Sequence, residues 1–279
     1  MMRMLRSTFY QLTSWRTDLK VLMAFAFGIV LSCISGYNYL NYANFLRSDV
    51  QVFEVYIING STGSTFLGIF LGNILLMSNA PFVDEITSYE FLRLGKKRWV
   101  ESRVIYIILG CFFYSFIILV SSSIFSFILA RVYLNNMWSG ALSELAMNQP
   151  MYAIEKFKVA FPYRGMISSI NPYMATLLTV ICNSLYSSLI CMLIMCVNIC
   201  NSHNFGWLIA SIIHIGGYII YANMGFLFPL KYSLFCHGMV AHYFEEQSGF
   251  SMISTISVVI IIFIVLQETS RYGVRKMEV

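Results

Sequence analysis

The chain has 279 residues, of which 58% are hydrophobic and 11% are charged, with a net charge of +5. A soluble domain usually carries about 25% charged and about 45–50% apolar residues. The composition therefore excludes an ordinary cytosolic enzyme and a disordered or fibrous chain, and so few basic residues give no basis for a nucleic-acid partner. It predicts an all-α polytopic membrane protein.

The first 19 residues predict an amphipathic helix that lies in the membrane interface. Apolar side chains recur at spacings of three or four, at Met2, Leu5, Phe9, Leu12 and Trp15. Arginines fall elsewhere on the helical wheel, at Arg3, Arg6 and Arg16. A basic amphipathic helix with an aromatic edge lies along a membrane rather than across it. It is either a simple anchor beside the first span or a coupling element.

Long stretches without charge predict six transmembrane helices, because about 20 apolar residues cross the hydrocarbon core. The longest stretch, 165–230, holds two crossings, separated at the polar run 198–204. The predicted spans are 21–42, 54–79, 103–132, 173–198, 205–222 and 250–268, all in one transmembrane domain, 1–279.

The distribution of Lys and Arg orients these spans, since basic residues concentrate in cytoplasmic segments. With the N-terminus inside, the inner segments hold 12 of the 18 basic residues and the outer segments hold 6. Both termini are therefore expected in the cytoplasm, with the chain in a cell membrane such as the bacterial plasma membrane.

Small residues repeat every four positions in the first two predicted spans. They are Ala24, Gly28, Ser32 and Gly36 in the first span and Gly60, Ser64, Gly68 and Gly72 in the second. Small side chains let helix backbones approach closely in lipid, so these stripes predict tight helix packing. The stripes could pack against each other or form part of a contact with a second copy, and the sequence leaves both open.

The loop 81–103 is the most charged part of the chain, with five basic and four acidic residues in a helix-compatible run. Glu85, Tyr89 and Leu92 would share one helical face. A short mixed-charge helix at the cytoplasmic face can dock into a partner's groove, and the alternative is a solvated connector. The run 95–97 lacks the spacing of a phosphate-binding loop, so this chain is not expected to bind ATP itself.

Two predicted outer segments, 134–172 and 223–249, contain many apolar and aromatic residues. Aromatic side chains suit the headgroup layer, so the first segment predicts an amphipathic cap over the outer leaflet. The second predicts a re-entrant helical hairpin, because irregular backbone at membrane depth has to be covered by protein. It also holds a possible acid–base cluster, formed by His237, His242, Glu245 and Glu246. This cluster leaves open a polytopic enzyme acting on lipid, and a six-span channel or scaffold is a further alternative.

Histidine and cysteine inside the spans have two interpretations each. Cys196, Cys200 and His203 share one helical face. The two cysteines are either small apolar side chains in a packed helix, or they form a soft metal site together with His203. No fourth ligand is identifiable, so no metal is predicted. His214 is either a neutral core histidine or a contact with cargo. The span cores hold no Asp, Glu, Lys or Arg, which argues against ion-coupled transport.

This pattern resembles the ABC type-2 permeases, which have six spans, an amphipathic N-terminal helix, a coupling loop after span two and a re-entrant segment before span six. In that loop the family commonly shows a Glu, a short helix, an Arg and a basic residue opening span three. The corresponding positions here are Glu85, the helix 86–94, Arg98 and Arg103. The chain departs from the family pattern at Tyr89, where a glycine is common, and at Lys97, where a Pro or Ser is common.

The resemblance implies that this chain is a permease subunit and not itself an enzyme. Its expected partners are a second permease chain, separate ATPase subunits that carry ATP and Mg²⁺, and membrane lipids. The cargo would be an amphipathic peptide, an antimicrobial or a lipid-like molecule moved out of the cell. The implied ATPase-docking residues are Glu85, Tyr89, Leu92, Arg93 and Arg98.

Overall fold

The computed structural model describes residues 8–9, 11–13, 15, 18–83, 87–201, 205–224, 233–245 and 251–276. Nearly all of its elements are helices. In chain order they are α1 (Leu19–Phe45), β1 (Val50–Gln51), α2 (Glu54–Ser61), α3 (Gly63–Leu76), α4 (Thr87–Leu94), α5 (Lys96–Leu129), β2 (Val132–Tyr133), α6 (Gly140–Asn148), α7 (Met151–Phe157), α8 (Arg164–Ser169), α9 (Pro172–Asn201), α10 (Gly206–Met224), α11 (Leu234–His237), a 3₁₀ turn (Val240–Phe244) and α12 (Met252–Lys276).

Five described helices, α1, α5, α9, α10 and α12, are long and apolar enough to cross a membrane. The chain is therefore a multi-pass membrane protein. Several of these helices extend beyond the predicted spans: α5 begins at Lys96 and α12 continues to Lys276. The extension has a physical cause, because a gap between charges marks the part of a helix that lies in hydrocarbon, and the helix itself can continue into water.

The predicted second span, 54–79, is two helices rather than one. Thr62 separates α2 from α3 with extended backbone angles, φ −94° and ψ 117°. The sequence around it, 59–65, is a run of Asn, Gly, Ser and Thr, which are poor helix formers because they lack side-chain bulk or compete for backbone hydrogen bonds. The Tyr163 hydroxyl donates to the Ser61 carbonyl oxygen at 3.0 Å and so satisfies a carbonyl at the end of α2. With 14 residues, α3 alone is about 21 Å long, shorter than the hydrocarbon core.

The helices pack around α9, most of which is buried, whereas α12 is mostly exposed. One apolar cluster joins α3, α5, α9 and α11. A second joins the end of α1 and α2 to the helices α6, α7 and α8. The bundle therefore has a membrane-helix core and a separate core beneath the segment 134–172.

Glu54, the first residue of α2, is fully buried next to this second core. Its carboxylate accepts hydrogen bonds from the Tyr39 hydroxyl and the Ser139 backbone N–H, both at 2.7 Å, and from the Gln51 N–H at 3.2 Å. Beside it, β1 and β2 form a parallel pair of two residues each. A buried carboxylate is stable only when such donors satisfy it, so Glu54 fixes α6 against α1 and α2.

Two predicted features lie partly outside the described residues. Of the predicted interfacial helix, residues 8–9 and 11–13 are helical. The structure describes three parts of the predicted re-entrant segment 223–249: the end of α10, the helix α11 and the 3₁₀ turn. Residues 225–232 and 246–249 lie outside the described residues. The segment 134–172 contains α6, α7 and α8.

Candidate functional site

The helix α4 carries the described part of the predicted docking site. Tyr89 is 69% exposed and Leu92 is 85% exposed, and Arg93 beside them is exposed as well. Arg98 is exposed on the first turn of α5, and Glu85 lies outside the described residues. The structure thus brings two large apolar side chains and a basic one together on the open face of a short helix that is not one of the apolar membrane helices.

A buried ion pair fixes the opposite face of α4. The Glu90 carboxylate accepts hydrogen bonds from Arg103 Nη2 at 2.7 Å and from Trp99 Nε1 at 3.0 Å. Arg103 is 1% exposed, and its guanidinium lies 4.9 Å from the Trp99 ring. Charge-assisted hydrogen bonds combined with a cation–π contact define one geometry, so α4 is held at a set position on α5.

The connection between α4 and α5 is a single residue, Gly95. Its φ of +78° lies in the region that glycine adopts without a steric penalty. On either side, the Phe91 and Trp99 rings pack edge to face with centroids 4.9 Å apart. Because no flexible linker intervenes, α4 and the first turns of α5 form one unit.

The base of α5 also contacts two other segments. Glu101 pairs with Arg271 of α12 at 2.7 Å. The Thr8 hydroxyl donates to the Ser102 carbonyl oxygen at 3.2 Å, and Trp15 Nε1 donates to the Tyr106 hydroxyl. The helix α4 is thereby connected, through α5, to α12 and to the described residues of the predicted interfacial helix.

The sequence pattern indicates no role for Glu90 or Trp99 in positioning α4, and it identifies Arg103 only as the basic residue that opens a span. A signal was present, because an arginine at the start of a hydrophobic helix requires an acidic partner. Both Glu90 and Glu101 were available, however, and only the folded structure distinguishes them.

The first predicted stripe lies at close helix contacts within the chain. Its members on α1 are all buried: Ala24, Gly28, Ser32 and Gly36. A Cβ on Gly28 would meet the Tyr114 hydroxyl of α5 at 2.0 Å, and a Cβ on Gly72 of α3 would meet the same hydroxyl at 2.1 Å. Two glycines from different helices therefore accommodate one tyrosine.

The second predicted stripe is divided by the break at Thr62. A Cβ on Gly60 would meet Thr179 of α9 at 2.6 Å, whereas a Cβ on Gly68 would meet Leu31 of α1 at 2.6 Å. Ser64 is exposed. These glycines contact different neighbours of the same chain, and a stripe contact with a second copy stays a prediction.

His214, the predicted cargo contact, is fully buried. Its Nδ1 lies 2.7 Å from the Tyr186 hydroxyl and its Nε2 lies 3.1 Å from the Leu67 carbonyl oxygen. Since a carbonyl only accepts, Nε2 donates, and in a neutral ring Nδ1 would accept from the tyrosine hydroxyl. The ring has no surface open to a cargo in this structure, so a cargo contact stays a prediction that requires this region to open.

The residues that suggested a lipid enzyme make separate structural contacts. His237 Nδ1 lies 2.8 Å from Thr255 Oγ1, and Glu245 accepts a hydrogen bond from the Gly165 N–H at 3.0 Å. The His242 ring packs against Tyr163 at 5.4 Å, and burial lowers the pKa of His242 to about 4. A histidine that stays neutral around pH 7 is a poor general acid. Glu246 lies outside the described residues.

A metal site is not visible in the described part of the chain, where no three His, Cys, Asp or Glu side chains come together. Cys196 is buried and Cys200 is exposed, while His203 lies outside the described residues. Cys196 therefore has the surroundings of a packing residue.

No protein-family model, curated protein or solved structure matches this chain. What its helices define is the class, a multi-pass membrane protein. Beyond that class, the described features that bear on function are the exposed face of α4 and its attachment to α5.

Proposed function

We propose that this chain is the permease subunit of an ATP-driven exporter, with α4 as the helix that docks the ATPase. The observation that carries the proposal is the exposure of Tyr89 and Leu92 on a helix whose other face is fixed by Glu90 and Arg103. An exposed apolar face on a rigidly held helix is typical of a helix that binds in a partner's groove.

The attachment of α4 supports a role in transmitting force. Its acidic anchor, Glu90, contacts residues of α5, one of the long apolar helices. A partner that moved α4 would therefore move a membrane helix directly. A solvated connector requires neither the buried ion pair nor the one-residue junction at Gly95.

The proposal includes the finer features expected from the sequence. There are six crossings, with α2 and α3 together forming the second, and both termini lie in the cytoplasm of a cell with this chain in its plasma membrane. A second permease chain completes the pathway, and the ATPase subunits carry ATP and Mg²⁺. The cargo is amphipathic or lipid-like, because the span cores supply no ionised side chains for a small charged solute.

Capture of the ATPase by the full chain tests the proposal. Tyr89→Ala and Leu92→Ala should each weaken retention of the ATPase, by about 2 kcal/mol or more where the side chain is a hot spot. ATP-dependent cargo transport in vesicles should fall in parallel, with the amount of folded permease unchanged. Met137→Ala is the matched control, since Met137 is 70% exposed but lies in the loop after β2.

These outcomes distinguish docking through α4 from non-specific binding to exposed apolar side chains. Loss of the ATPase with Tyr89→Ala and not with Met137→Ala supports docking through α4. Full retention and full transport by both α4 variants would place the docking surface elsewhere. A purified chain that transports cargo without any ATPase would contradict the exporter proposal itself.

A further inference from the structure

A small polar cavity lies inside the helix bundle, close to the break between α2 and α3. Its volume is about 10 Å³. Polar side chains from four helices line it: Tyr56 and Asn59 of α2, Asn73 of α3, Ser115 of α5 and Asn183 of α9. The rest of the wall is aromatic or aliphatic, and includes Phe66 and Ile118. Such a group of amides is unusual in a bundle of apolar membrane helices.

Three of the lining residues present buried acceptors. Asn59, Asn73 and Asn183 are 1%, 2% and 5% exposed. The Oδ1 atom of each has no hydrogen-bond partner among the described residues. A buried polar atom without a partner costs about 1–3 kcal/mol, so three together require an explanation.

For Asn59 and Asn73, the hydrogen bonds donated by the same side chain indicate how the amide is oriented. Asn59 Nδ2 donates to the Ser32 carbonyl oxygen at 3.1 Å and to the Ser32 hydroxyl at 2.7 Å. Because a carbonyl can only accept, the amide of Asn59 cannot be turned round without losing this bond. Asn73 Nδ2 donates to the Ser187 hydroxyl at 2.8 Å. The nitrogens of Asn59 and Asn73 are thus used elsewhere, and their oxygens remain for the cavity.

We propose that this cavity is a binding site for one water molecule, which donates hydrogen bonds to the asparagine oxygens. A site of roughly 10–15 Å³ holds one water when two to four polar groups are in reach, and this cavity meets both conditions. Water can donate two hydrogen bonds and accept two more. It donates to two of the asparagine oxygens and can accept from the Tyr56 hydroxyl.

A monovalent cation is the other ligand that an acceptor-lined cavity could hold, but the charge balance disfavours it. The lining residues include neither Asp nor Glu. Glu54, in the same helix α2, directs its carboxylate to Tyr39 and Ser139 instead. An ion in this cavity would be a buried charge without a counter-ion, which is costly in a membrane interior. Water satisfies the same acceptors without that penalty.

The water site would hold together the two halves of the broken segment. Asn59 lies before the break at Thr62, Asn73 lies after it, and Asn183 belongs to α9. A bridging water would therefore link side chains of α2, α3 and α9. Helices interrupted inside membranes are commonly stabilised by ordered waters in this way.

A high-resolution structure of the full chain in lipid nanodiscs, prepared in choline chloride without Na⁺ or K⁺, tests the site directly. We expect one density peak at about 2.6–3.2 Å from at least two of the three asparagine oxygens. The absence of such a peak would overturn the proposal. A peak that appears only after Na⁺ or K⁺ is added would replace water by a cation.

Two solution measurements make the result independent of map quality. The thermal midpoint should be the same in choline, Na⁺ and K⁺, and a midpoint that rises with only one of the metal ions would contradict a water site.

Magnetic relaxation dispersion should count one fewer long-lived water in Asn183→Leu than in the unmodified chain. Ser211→Ala is the control, because Ser211 is a half-buried polar residue of α10 that does not line the cavity, and it should leave the count unchanged. An unchanged count in a folded Asn183→Leu would also overturn the proposal.

Discussion

Replacing Gly72 by alanine should destabilise the helix bundle by about 1–3 kcal/mol, the usual effect of overpacking a core. The added methyl group would meet the Tyr114 hydroxyl at 2.1 Å and the Ala24 carbonyl oxygen at 3.1 Å. The tyrosine has little room to move. Its hydroxyl donates to the Ile69 carbonyl oxygen at 2.9 Å, and Gly28 faces it from α1.

A double-mutant cycle with Tyr114→Phe identifies the cause. Alone, Tyr114→Phe should cost about 0.5–1.5 kcal/mol, the net contribution of one buried hydrogen bond. It also removes the atom that collides with the new methyl group. The nearest atom of the aromatic side chain would then be the ring Cζ, 3.1 Å away, a distance that small side-chain shifts can relieve. We therefore expect Gly72→Ala to be less harmful when it is combined with Tyr114→Phe, with a coupling energy of about 0.5–3 kcal/mol.

The assay is reversible unfolding of the full chain in mixed micelles, followed by tryptophan fluorescence. Gly216→Ala is the matched control, because a Cβ at Gly216 of α10 would meet no atom within 4 Å. The control should be neutral or slightly stabilising, since alanine favours a helix over glycine. Equal effects of Gly72→Ala and Gly216→Ala, or strictly additive effects of Gly72→Ala and Tyr114→Phe, would refute the steric explanation.

Three further predictions concern buried or exposed charge. Glu54→Leu should lower the free energy of unfolding by about 1–3 kcal/mol, because the Tyr39 hydroxyl and the Ser139 N–H lose their acceptor; an unchanged unfolding curve would contradict this. Arg103→Leu should cost about 3–5 kcal/mol by leaving Glu90 without its ion pair, and Arg103→Lys should recover only part of that loss in the same assay. Arg93→Glu, at an exposed position, should change ATPase retention by about 0–1 kcal/mol, so an effect as large as that of Tyr89→Ala would show that charge dominates docking.

Most long helices were predictable because the physical rule behind them is strong. A charged side chain at the centre of a bilayer is expensive, so uncharged stretches show where the apolar helices run. The break at Thr62 was harder to predict, because the sequence signal for it is weaker. The Gly and Ser residues around it were interpreted as a packing stripe, and the same residues also weaken a helix. Sequence periodicity cannot separate these two effects, because neighbouring helices decide whether a weak helix continues.

The exposed face of α4 was predictable in part, because it follows from helical spacing. Helical spacing places Tyr89 and Leu92 on one side of α4, and the structure has both exposed. The attachment of the other side was not predictable, because Glu90 and Arg103 meet only when the chain reverses at Gly95. A local pattern describes one helix, whereas an ion pair between two helices depends on the turn between them.

The position of Tyr114 gives the proposed exporter a direct mechanical connection. Arg103 and Tyr114 both belong to α5, which is continuous from Lys96 to Leu129, and at 1.5 Å per residue they are about 16 Å apart along it. A displacement of α4 by a docked ATPase would thus reach the contact between Gly28, Tyr114 and Gly72 without crossing a loop. Because that contact leaves no space for even one methyl group, we expect a displacement of α5 at this level to displace α1 and α3 locally as well. The break at Thr62 lies at the N-terminal end of α3, so the backbone can bend there without interrupting a continuous helix.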